Sequence, residues 1–592
     1  MIVNLNRKLR SVANDYLGLG PALALLTIVF LIPVIYLLQL SFVSPTGAFS
    51  LEHYSRLFQT PLYLNVLANT FKIAGLTTAI CLLCGYPIAY LIATTRSRSK
   101  TILVLLVLMP FWTSVLVRSF AWLIILGRQG LLNQILISSG LTAGPLDMMY
   151  NLATVLVGMT HALMPLAILT MLAAMQNIDP NLTRAAGTLG ARPAHAFWRV
   201  YFPLSAPGVA AGGLLVFITA VGFFITPILL GSPKETMLAQ IIVAQIDETL
   251  NWGFAGAVSM LLLAASIIVF YIFDRVVGMS ALTGEPAIDR ASRKGIITQL
   301  AGRLGYLLIA GMGRICDYVG SLQDRIHANT RSRKERRLFV SIIGITAVLF
   351  LALPSFILVP ISFSESAFFQ WPPVGFSLEW YDTIFASPVW QGAMLRSTYV
   401  GLATAAASVL IGIPAAFAIA RGRMAGKAVL LGFVLLPMIM PHIIVALALF
   451  YSFSKIGLVG TSFGLVLGHT IFSLPYAIVT ILAVLKTYDV RLDHAAWSLG
   501  ASRIVAFRRI TLPLIGSGVV TAFLFSFVKS FDELTVALFI SGGVATTLPR
   551  QMWADALLNV SPTLAAASTL ILLFVTIAIL AGELLRTRQP KS

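Results

Sequence analysis

The sequence predicts an all-α protein: a polytopic transmembrane helical bundle of about twelve spans, arranged as two parallel six-helix repeats. Apolar residues make up 58% of the chain and charged residues only 11%, whereas an ordinary soluble domain carries about 25% charged residues. Twelve apolar windows are each long enough to cross a hydrocarbon core about 30 Å thick. A polar segment of the first half recurs in the second half, which indicates an internal duplication.

The twelve windows form two sets of six, which define two halves of the chain. The first set lies near residues 20–42, 68–94, 101–126, 150–175, 209–231 and 255–277, and the second near residues 338–363, 397–420, 428–453, 464–486, 518–541 and 564–585. We therefore assign residues 1–277 to the first half and residues 338–592 to the second. The linker at 278–337 contains an apolar run at 304–313 that is too short to span, so we expect an amphipathic helix on the inner leaflet.

The Lys and Arg residues predict the orientation of the chain in the membrane. With the N-terminus inside, 32 of the 41 Lys and Arg residues fall in segments on the cytoplasmic side. Cytoplasmic loops are enriched in these residues, so the pattern favours cytoplasmic termini, a cytoplasmic linker and a cytoplasmic repeated segment. The net charge of +19 therefore reflects topology: membrane lipid is the expected surrounding, and no nucleic-acid partner is expected.

The repeated segment lies between the fourth and fifth windows of each half. Residues 185–208 and 495–518 are identical at 11 of 24 aligned positions. Small residues at helical spacing predict a face that another backbone can approach closely, and a following Phe predicts a bulky knob. The positions assigned to this docking surface are Ala185, Ala186, Gly190, Ala191, Phe197 and Pro203 in the first copy and Ala495, Ala496, Gly500, Ala501, Phe507 and Pro513 in the second. An amphipathic connector lying on lipid headgroups is the alternative interpretation.

The sequence lacks the local patterns typical of enzymes. Residues 422–428 read GRMAGKA, with too few residues between the glycines for a phosphate-binding loop and no Ser or Thr after the lysine. Nor does any spacing indicate a zinc-binding helix or a nucleophile motif. We therefore expect a non-enzymatic membrane protein that binds no metal or cofactor of its own and takes its energy from a separate subunit.

The repeated segment resembles the EAA loop of permeases from binding-protein-dependent ABC importers. Both alanines, the glycine, the phenylalanine and the Leu-Pro pair are present, whereas the glutamate of that loop is replaced by Arg184 and His494. The resemblance implies the type I ABC importer permease fold in the bacterial cytoplasmic (inner) membrane. It also implies that the loops dock on two copies of a cytoplasmic ABC ATPase subunit, which uses ATP and Mg, and that an extracytoplasmic substrate-binding protein delivers the solute.

Further segments resemble the polyamine-type permease pair of that family. They are GFFITPILLGSP at 222–233, SFVKSFDELTVALFISGG at 526–543 and TLPRQMW at 547–553. This resemblance implies a small cationic amine, such as a polyamine, as the solute. Related permeases carry amino-acid-like compounds, phosphonates, iron or sulfate, so these solutes stay open as alternatives. A twelve-span secondary carrier is a further alternative, although the loop RSRSK at 96–100 lacks the D-R-x-G-R-like signature of such carriers.

Two carboxylates, Asp532 and Glu533, fall deep inside the window 518–541. Charged side chains at that depth cost about 2.5–3.5 kcal/mol on insertion scales and commonly face protein or a water-filled path. Lys529 lies three and four residues earlier, so a local ion pair with one carboxylate is one interpretation. One lysine cannot neutralise two carboxylates, and the counterpart at 221–230 has no charge. The second hypothesis is that Asp532 or Glu533 lines the substrate path and attracts a cation.

Overall fold

The computed structural model shows a chain made almost entirely of helices. It describes residues 17–44, 46–95, 98–108, 110, 113–276, 311, 332–422, 424, 426–558 and 561–587. The amphipathic helix expected at 304–313 lies outside the described residues apart from residue 311, so that expectation stays a prediction.

The helices are numbered in chain order. In the first half they are α1 Leu17–Leu40, α2 Glu52–Gln59, α3 Pro61–Thr94, α4 Arg98–Leu108, α5 Val115–Leu126, α6 Leu131–Ser138, α7 Leu152–Met175, α8 Pro180–Thr188, α9 Pro193–Val221, α10 Ile225–Leu230, α11 Leu238–Asp247 and α12 Trp252–Val276. In the second half they are α13 Ser332–Ile361, α14 Glu379–Ala386, α15 Pro388–Arg421, α16 Lys427–Ile439, α17 His442–Lys455, α18 Ser462–Thr487, α19 Arg491–Ser498, α20 Arg503–Phe531, α21 Thr535–Ile540, α22 Leu548–Leu558 and α23 Thr563–Thr587.

The two halves repeat one another helix by helix, and α6 is the described helix without a second-half counterpart. The repetition extends to irregular detail. A π-helical turn at Phe197–Tyr201 recurs at Phe507–Thr511. A short helix after a break recurs in the same way as α10 and α21. The predicted all-α polytopic bundle of two parallel repeats is confirmed.

The predicted third window of each half does not form one straight helix. Among the described residues, ten helices are long and apolar enough to cross a membrane, or eleven if one bent pair forms a single span. That pair is α16 and α17, which meet at 91°. The bend follows from Pro441, because the residue before a proline is pushed out of the helical region, and Met440 is extended there. In the first half, the window 101–126 is likewise divided between α4 and α5.

The fifth windows, 209–231 and 518–541, also have the wrong bounds. The long helices begin earlier, at Pro193 and Arg503, and they end at Val221 and Phe531. A window average of hydropathy does not reveal a break in a helix when the residues on both sides of the break are apolar. The break after α9 touches the other half: a Cβ added at Gly222 would lie 3.0 Å from the Pro441 ring. A glycine at this position therefore allows the two halves to meet closely.

The first helix of each half packs against the opposite half. Helix α1 contacts α17 and α18, while α13 contacts α3, α4 and α5. Two polar contacts illustrate the exchange. Lys455 donates a hydrogen bond to the Tyr36 hydroxyl at 2.9 Å, and the buried His161 ring bonds the Leu351 carbonyl at 3.0 Å. The exchange joins the two repeats into one bundle.

Candidate functional site

The two repeated loops form the same turn at one end of the bundle. Helix α8 ends at Thr188 with Leu189 as its C-cap, and Gly190 follows with φ of +87°. The N–H of Gly190 bonds the Gly187 carbonyl at 3.1 Å, and the N–H of Ala191 bonds the Ala186 carbonyl at 3.0 Å. This pair of bonds is the Schellman arrangement, which ends a helix with a left-handed glycine.

The second loop repeats the turn, with φ of +85° at Gly500. The N–H of Ala501 bonds the Ala496 carbonyl at 3.0 Å. A Cβ added at Gly190 or Gly500 would meet nothing within 4 Å. Within this chain the glycines are therefore required by their backbone conformation, which is a different reason from the close approach of a partner backbone that the sequence suggested.

The phenylalanines of the loops do not form the expected exposed knobs. Phe197 packs on Tyr90, with ring centroids 5.5 Å apart, and on Tyr86 at 6.1 Å. Phe507 packs on Phe417 at 5.7 Å. Both rings face the long helices α3 and α15, and a π-helical turn begins at each of the two residues. They hold the loops to the bundle.

The most exposed large apolar residues of the loops are two leucines. Leu189 and Leu499 are equivalent in the repeat, and each is 88% exposed. Ala185 and Ala495 are also exposed, whereas Ala186 is half-buried and Ala496 is buried. Each loop thus presents a highly exposed leucine four residues after an exposed alanine, and sequence reasoning missed the leucines. The signal available in the sequence was that both copies of the repeat have leucine at this position.

A buried aspartate anchors the second loop. Asp493 accepts hydrogen bonds from Arg421 at 2.7 Å, from the Tyr488 hydroxyl at 2.7 Å and from the Thr511 hydroxyl at 2.7 Å. Burial opposes ionisation, but these hydrogen bonds and the Arg421 charge outweigh it and hold the pKa of the Asp493 carboxyl below its usual range. In the first loop Thr183 stands at the equivalent position, so the two loops are anchored by different chemistry.

The two carboxylates predicted from sequence lie where the backbone breaks after α20. Glu533 is 3% exposed, and Lys529 donates to its Oε2 at 2.6 Å. Its Oε1 accepts from the Val536 N–H at 3.4 Å, within the first turn of α21. The ion-pair interpretation therefore holds for Glu533, which also caps the short helix.

Asp532 has a different environment. It is the C-cap residue directly after α20, and its Oδ1 atom is buried without a hydrogen-bond partner among the described residues. The residues that interact with it electrostatically include Arg118 and Ser114, both from the first half. Arg118 is 5% exposed. Sequence reasoning missed Arg118, although an arginine inside an apolar window is a signal of a buried functional charge.

Arg118 is held by backbone carbonyls. Its Nη1 donates to the Ala162 carbonyl at 3.1 Å, and its Nε donates to the Ser114 carbonyl at 3.4 Å. The cluster at the break thus contains two cations, Arg118 and Lys529, and two carboxylates, Asp532 and Glu533. The formal charges of the cluster therefore balance only when the residues of both halves are counted together.

A cavity of about 350 Å³ lies between the halves, lined from α11 and α22. Asp247 and Glu248 contribute carboxylates to its wall, and Trp553 contributes an indole ring. Trp553 also contacts Phe224 at the first-half break, with ring centroids 6.0 Å apart. This aromatic contact therefore connects the wall of the cavity with the break in the first half.

The cavity lies at the end of the bundle opposite the repeated loops. Asn69 of α3 bonds the Lys234 and Thr236 carbonyls beside the cavity. It lies 17 residues before Tyr86, which packs on the loop residue Phe197, and this separation corresponds to about 25 Å of helix. In the part of the chain that the structure describes, no group of three or more His, Cys, Asp or Glu side chains could hold a metal ion.

The chain shows similarity to known transport proteins in both halves. Residues 85–279 and 408–589 match the family model described as binding-protein-dependent transport system inner membrane component. The spermidine/putrescine transport system permease protein PotB of Haemophilus influenzae is 36% identical over 250 residues, which are 41% of this chain and 87% of that protein. The spermidine/putrescine transport system permease protein PotC of Escherichia coli is 31% identical over 243 residues, which are 41% of this chain and 91% of that protein.

Similarity to solved structures is lower, as one of them illustrates. It is a bacterial alginate ABC transporter in complex with an alginate pentasaccharide-bound periplasmic protein, with a TM-score of 0.40 and 18% identity. The similarity covers 46% of this chain and 96% of that one. This similarity is too low to support an inference about this chain.

Proposed function

The chain belongs to the family of binding-protein-dependent transport system inner membrane components, and from this premise we propose that it forms the complete path of an importer for a small cationic amine such as a polyamine. As a member of the family it is a multi-pass permease of the inner membrane. The observation that carries the substrate class is the name shared by the PotB and PotC relatives, both spermidine/putrescine permeases. Each relative aligns to about two-fifths of this chain, as expected if one half corresponds to one relative.

The charge at the break supports a cationic solute. Glu533 already has an ion-pair partner and a capping role, so Asp532 is the carboxylate that can receive a cation. An ammonium group that reached Asp532 would supply the hydrogen-bond donor that its Oδ1 lacks. We therefore place Asp532 in the substrate path and Glu533 in the structure that holds it.

Energy enters through the repeated loops. Two loops of the same shape, each with an 88% exposed leucine, suit two copies of one cytoplasmic ABC ATPase subunit. That subunit uses ATP and Mg, and this chain acts as a transporter subunit without its own hydrolytic site. The exposed leucines insert into apolar pockets of the ATPase, because burying them is the largest gain that these loops offer.

The orientation follows from the positive-inside rule. The loops, the linker at 278–337 and both termini lie in the cytoplasm, and the halves are residues 1–277 and 338–592. The cavity with Asp247, Glu248 and Trp553 then opens outward, where an extracytoplasmic substrate-binding protein releases its solute. Carboxylates and an aromatic ring at that entrance favour cations over anions.

The test is uptake by the assembled importer. The chain, its ATPase and its binding protein are reconstituted in liposomes, and ATP-dependent uptake of labelled spermidine is measured. We expect uptake that unlabelled putrescine inhibits and sulfate does not, and we expect Asp532→Asn to lower it at least tenfold without loss of assembly. Asp147→Asn is the matched control, because Asp147 is an exposed surface aspartate paired with Arg128. Uptake that is absent for amines but present for an anion would contradict the proposal.

A further inference from the structure

Helix α17 is enclosed by protein along much of its length, but its first residue is not. Residues 443–449 are each 0% exposed, so nearly two turns of the helix contact neither lipid nor water. Met440 and Pro441 before the helix are buried as well. His442 begins the helix between these buried neighbours and is half-buried. The exposed part of its ring therefore faces a gap inside the bundle and not the surrounding lipid.

The first half repeats this pattern. Val115 begins α5 as His442 begins α17, and each helix follows the division of a third window. Val115 is half-buried, whereas residues 116–122 are at most 6% exposed. A partly exposed residue between buried neighbours, at the same position of both halves, indicates one gap that the two halves share.

This gap lies beside the breaks of the fifth-window helices. A Cβ added at Gly222 would lie 3.0 Å from the Pro441 ring and 3.7 Å from the His442 backbone nitrogen. Gly222 and Asp532 directly follow α9 and α20, hold equivalent positions in the repeat and are both half-buried. Because the halves repeat one another, we expect Asp532 to lie beside the start of α5 in the same way.

The His442 ring has one fixed contact. It stacks on the Phe472 ring, with centroids 4.4 Å apart and planes at 21°, so α18 sets its orientation. Neither ring nitrogen of His442 has a hydrogen-bond partner among the described residues, and neither is enclosed. His469 of α18 differs, because its Nδ1 is hydrogen-bonded to the Ser530 hydroxyl at 2.8 Å and its Nε2 is enclosed. A neutral imidazole has one acceptor nitrogen, so His442 can accept a hydrogen bond from a solute in the gap.

We propose that His442 is a specificity-determining residue of the path, which accepts a hydrogen bond from an ammonium group of the solute as the solute passes the breaks. Phe472 holds the ring in place, and Asp532 supplies the negative charge. An ammonium group has donors and no acceptor, so an acceptor nitrogen and a carboxylate suit it, whereas an oxyanion finds only the imidazole N–H. This inference rests on the proposed function and adds an uncharged contact for the solute.

The alternative is that His442 only stabilises the bend between α16 and α17 by stacking on Phe472. The two roles differ in accessibility. A residue that lines the path reacts with a water-soluble reagent and is shielded by the solute, whereas a residue that only packs against its neighbour does neither. Chemical labelling therefore separates them.

The experiment labels single cysteines with a small cationic methanethiosulfonate reagent while the complete importer hydrolyses ATP in liposomes. The three native cysteines are first replaced by alanine. We expect His442→Cys and Val115→Cys to react, and we expect spermidine delivered by the binding protein to slow the reaction of His442→Cys about fivefold. Ile444→Cys is the matched control, because Ile444 is 0% exposed on the same helix and should not react.

Two outcomes would overturn the inference. One is a His442→Cys importer that takes up spermidine but does not react with the reagent. The other is a reaction of His442→Cys that spermidine does not slow. Either result, with spermidine uptake by the wild-type importer, refutes the role of His442 and leaves the proposed function standing. A wild-type importer that takes up no amine refutes the proposed function itself.

A second pair of substitutions keeps the test decisive if the cysteine variant fails to assemble. His442→Phe keeps an aromatic ring on Phe472 but removes the acceptor, whereas His442→Gln keeps an acceptor and loses the ring. Equilibrium binding of labelled spermidine is measured on the purified complex of the full chain with its ATPase. We expect His442→Phe to raise the half-saturating concentration about fivefold, the scale of one lost hydrogen bond, and His442→Gln to raise it less. The reverse order would contradict the inference, because it would show that the ring stack and not the acceptor matters.

Discussion

At the scale of single residues, each repeated loop is held to the bundle by different side chains. The first loop is held by Phe197 between Tyr86 and Tyr90, and the second is held by Phe507 on Phe417 and in addition by Asp493 beside Arg421. An aromatic cluster is insensitive to pH, whereas a carboxylate is an anchor only while it is ionised. The anchors can therefore be probed separately.

Asp493→Asn should destabilise the second loop. The substitution removes the charge that Arg421 compensates, and a hydrogen bond to a charged group contributes about 1.5–3 kcal/mol. Because the pKa of Asp493 is lowered in the folded protein, its stabilising contribution is complete above the unfolded value of about 3.9 and is lost only as the pH falls through the lower folded value. We expect a lower thermal unfolding temperature by the same amount at every pH from 5 to 8.

The control for this prediction lies on the same loop. Asp489 forms an exposed ion pair with Arg491 at 2.9 Å, and exposed pairs contribute little, so Asp489→Asn should leave the unfolding temperature unchanged. Equal losses for both variants, or a loss for Asp493→Asn that disappears between pH 5 and 8, would contradict the assignment.

The sequence predicted which residues are important more reliably than it predicted what each residue does. The repeat identified Gly190 and Gly500 as important, but the reason is a backbone with positive φ, which one-dimensional spacing does not reveal. Asp532 and Glu533 were recognised as buried carboxylates, yet their separate roles depend on a lysine of the same helix and an arginine of the other half. Only a three-dimensional arrangement can show that Arg118 of the first half interacts electrostatically with Asp532 of the second.

At the scale of elements, each half contains a long helix that ends inside the bundle and restarts as a short one. The existence of helices α9 and α20 was predictable from apolar composition, but their ends at Val221 and Phe531 were not. The break in the second half is stabilised by Glu533, which caps α21, and such a cap has no effect on mean hydropathy. The loops between α8 and α9 and between α19 and α20 were located correctly, because their polar residues recur.

The exposed leucines of these loops should govern binding of the ATPase. Removing one leucine that becomes buried on docking loses about 1.5–3 kcal/mol, which corresponds to tenfold or more in affinity. We expect Leu189→Ser and Leu499→Ser each to weaken binding of the purified ATPase subunit by about tenfold, and the double variant to lose ATP-driven uptake while still folding.

Leu141→Ser is the control for this prediction. Leu141 is 73% exposed, but it follows α6 on the side that we assign to the exterior, where the ATPase has no access. Undiminished ATPase binding by the double leucine variant, or equal weakening by Leu141→Ser, would contradict the assignment of the docking surface.

At the scale of the whole molecule, two homologous halves form one interlocked bundle. The duplication and the class of fold were predictable because both are recorded in composition and in repeated residues. The exchange of α1 and α13 between halves was not, because apolar helix faces carry little information about their partners. The exchange has a functional meaning: each half completes the other, so one chain supplies both walls of the path and both loops.

The most direct test of this account is the subunit ratio of the purified importer, measured by native mass spectrometry. One chain that contains both halves offers two loops, Leu189 and Leu499 each exposed on one of them, so we predict one copy of this chain with two copies of the ATPase subunit in a complex that hydrolyses ATP. An active complex that contains two copies of this chain, or one chain with a single ATPase subunit, would contradict the claim that one chain forms the whole translocation unit.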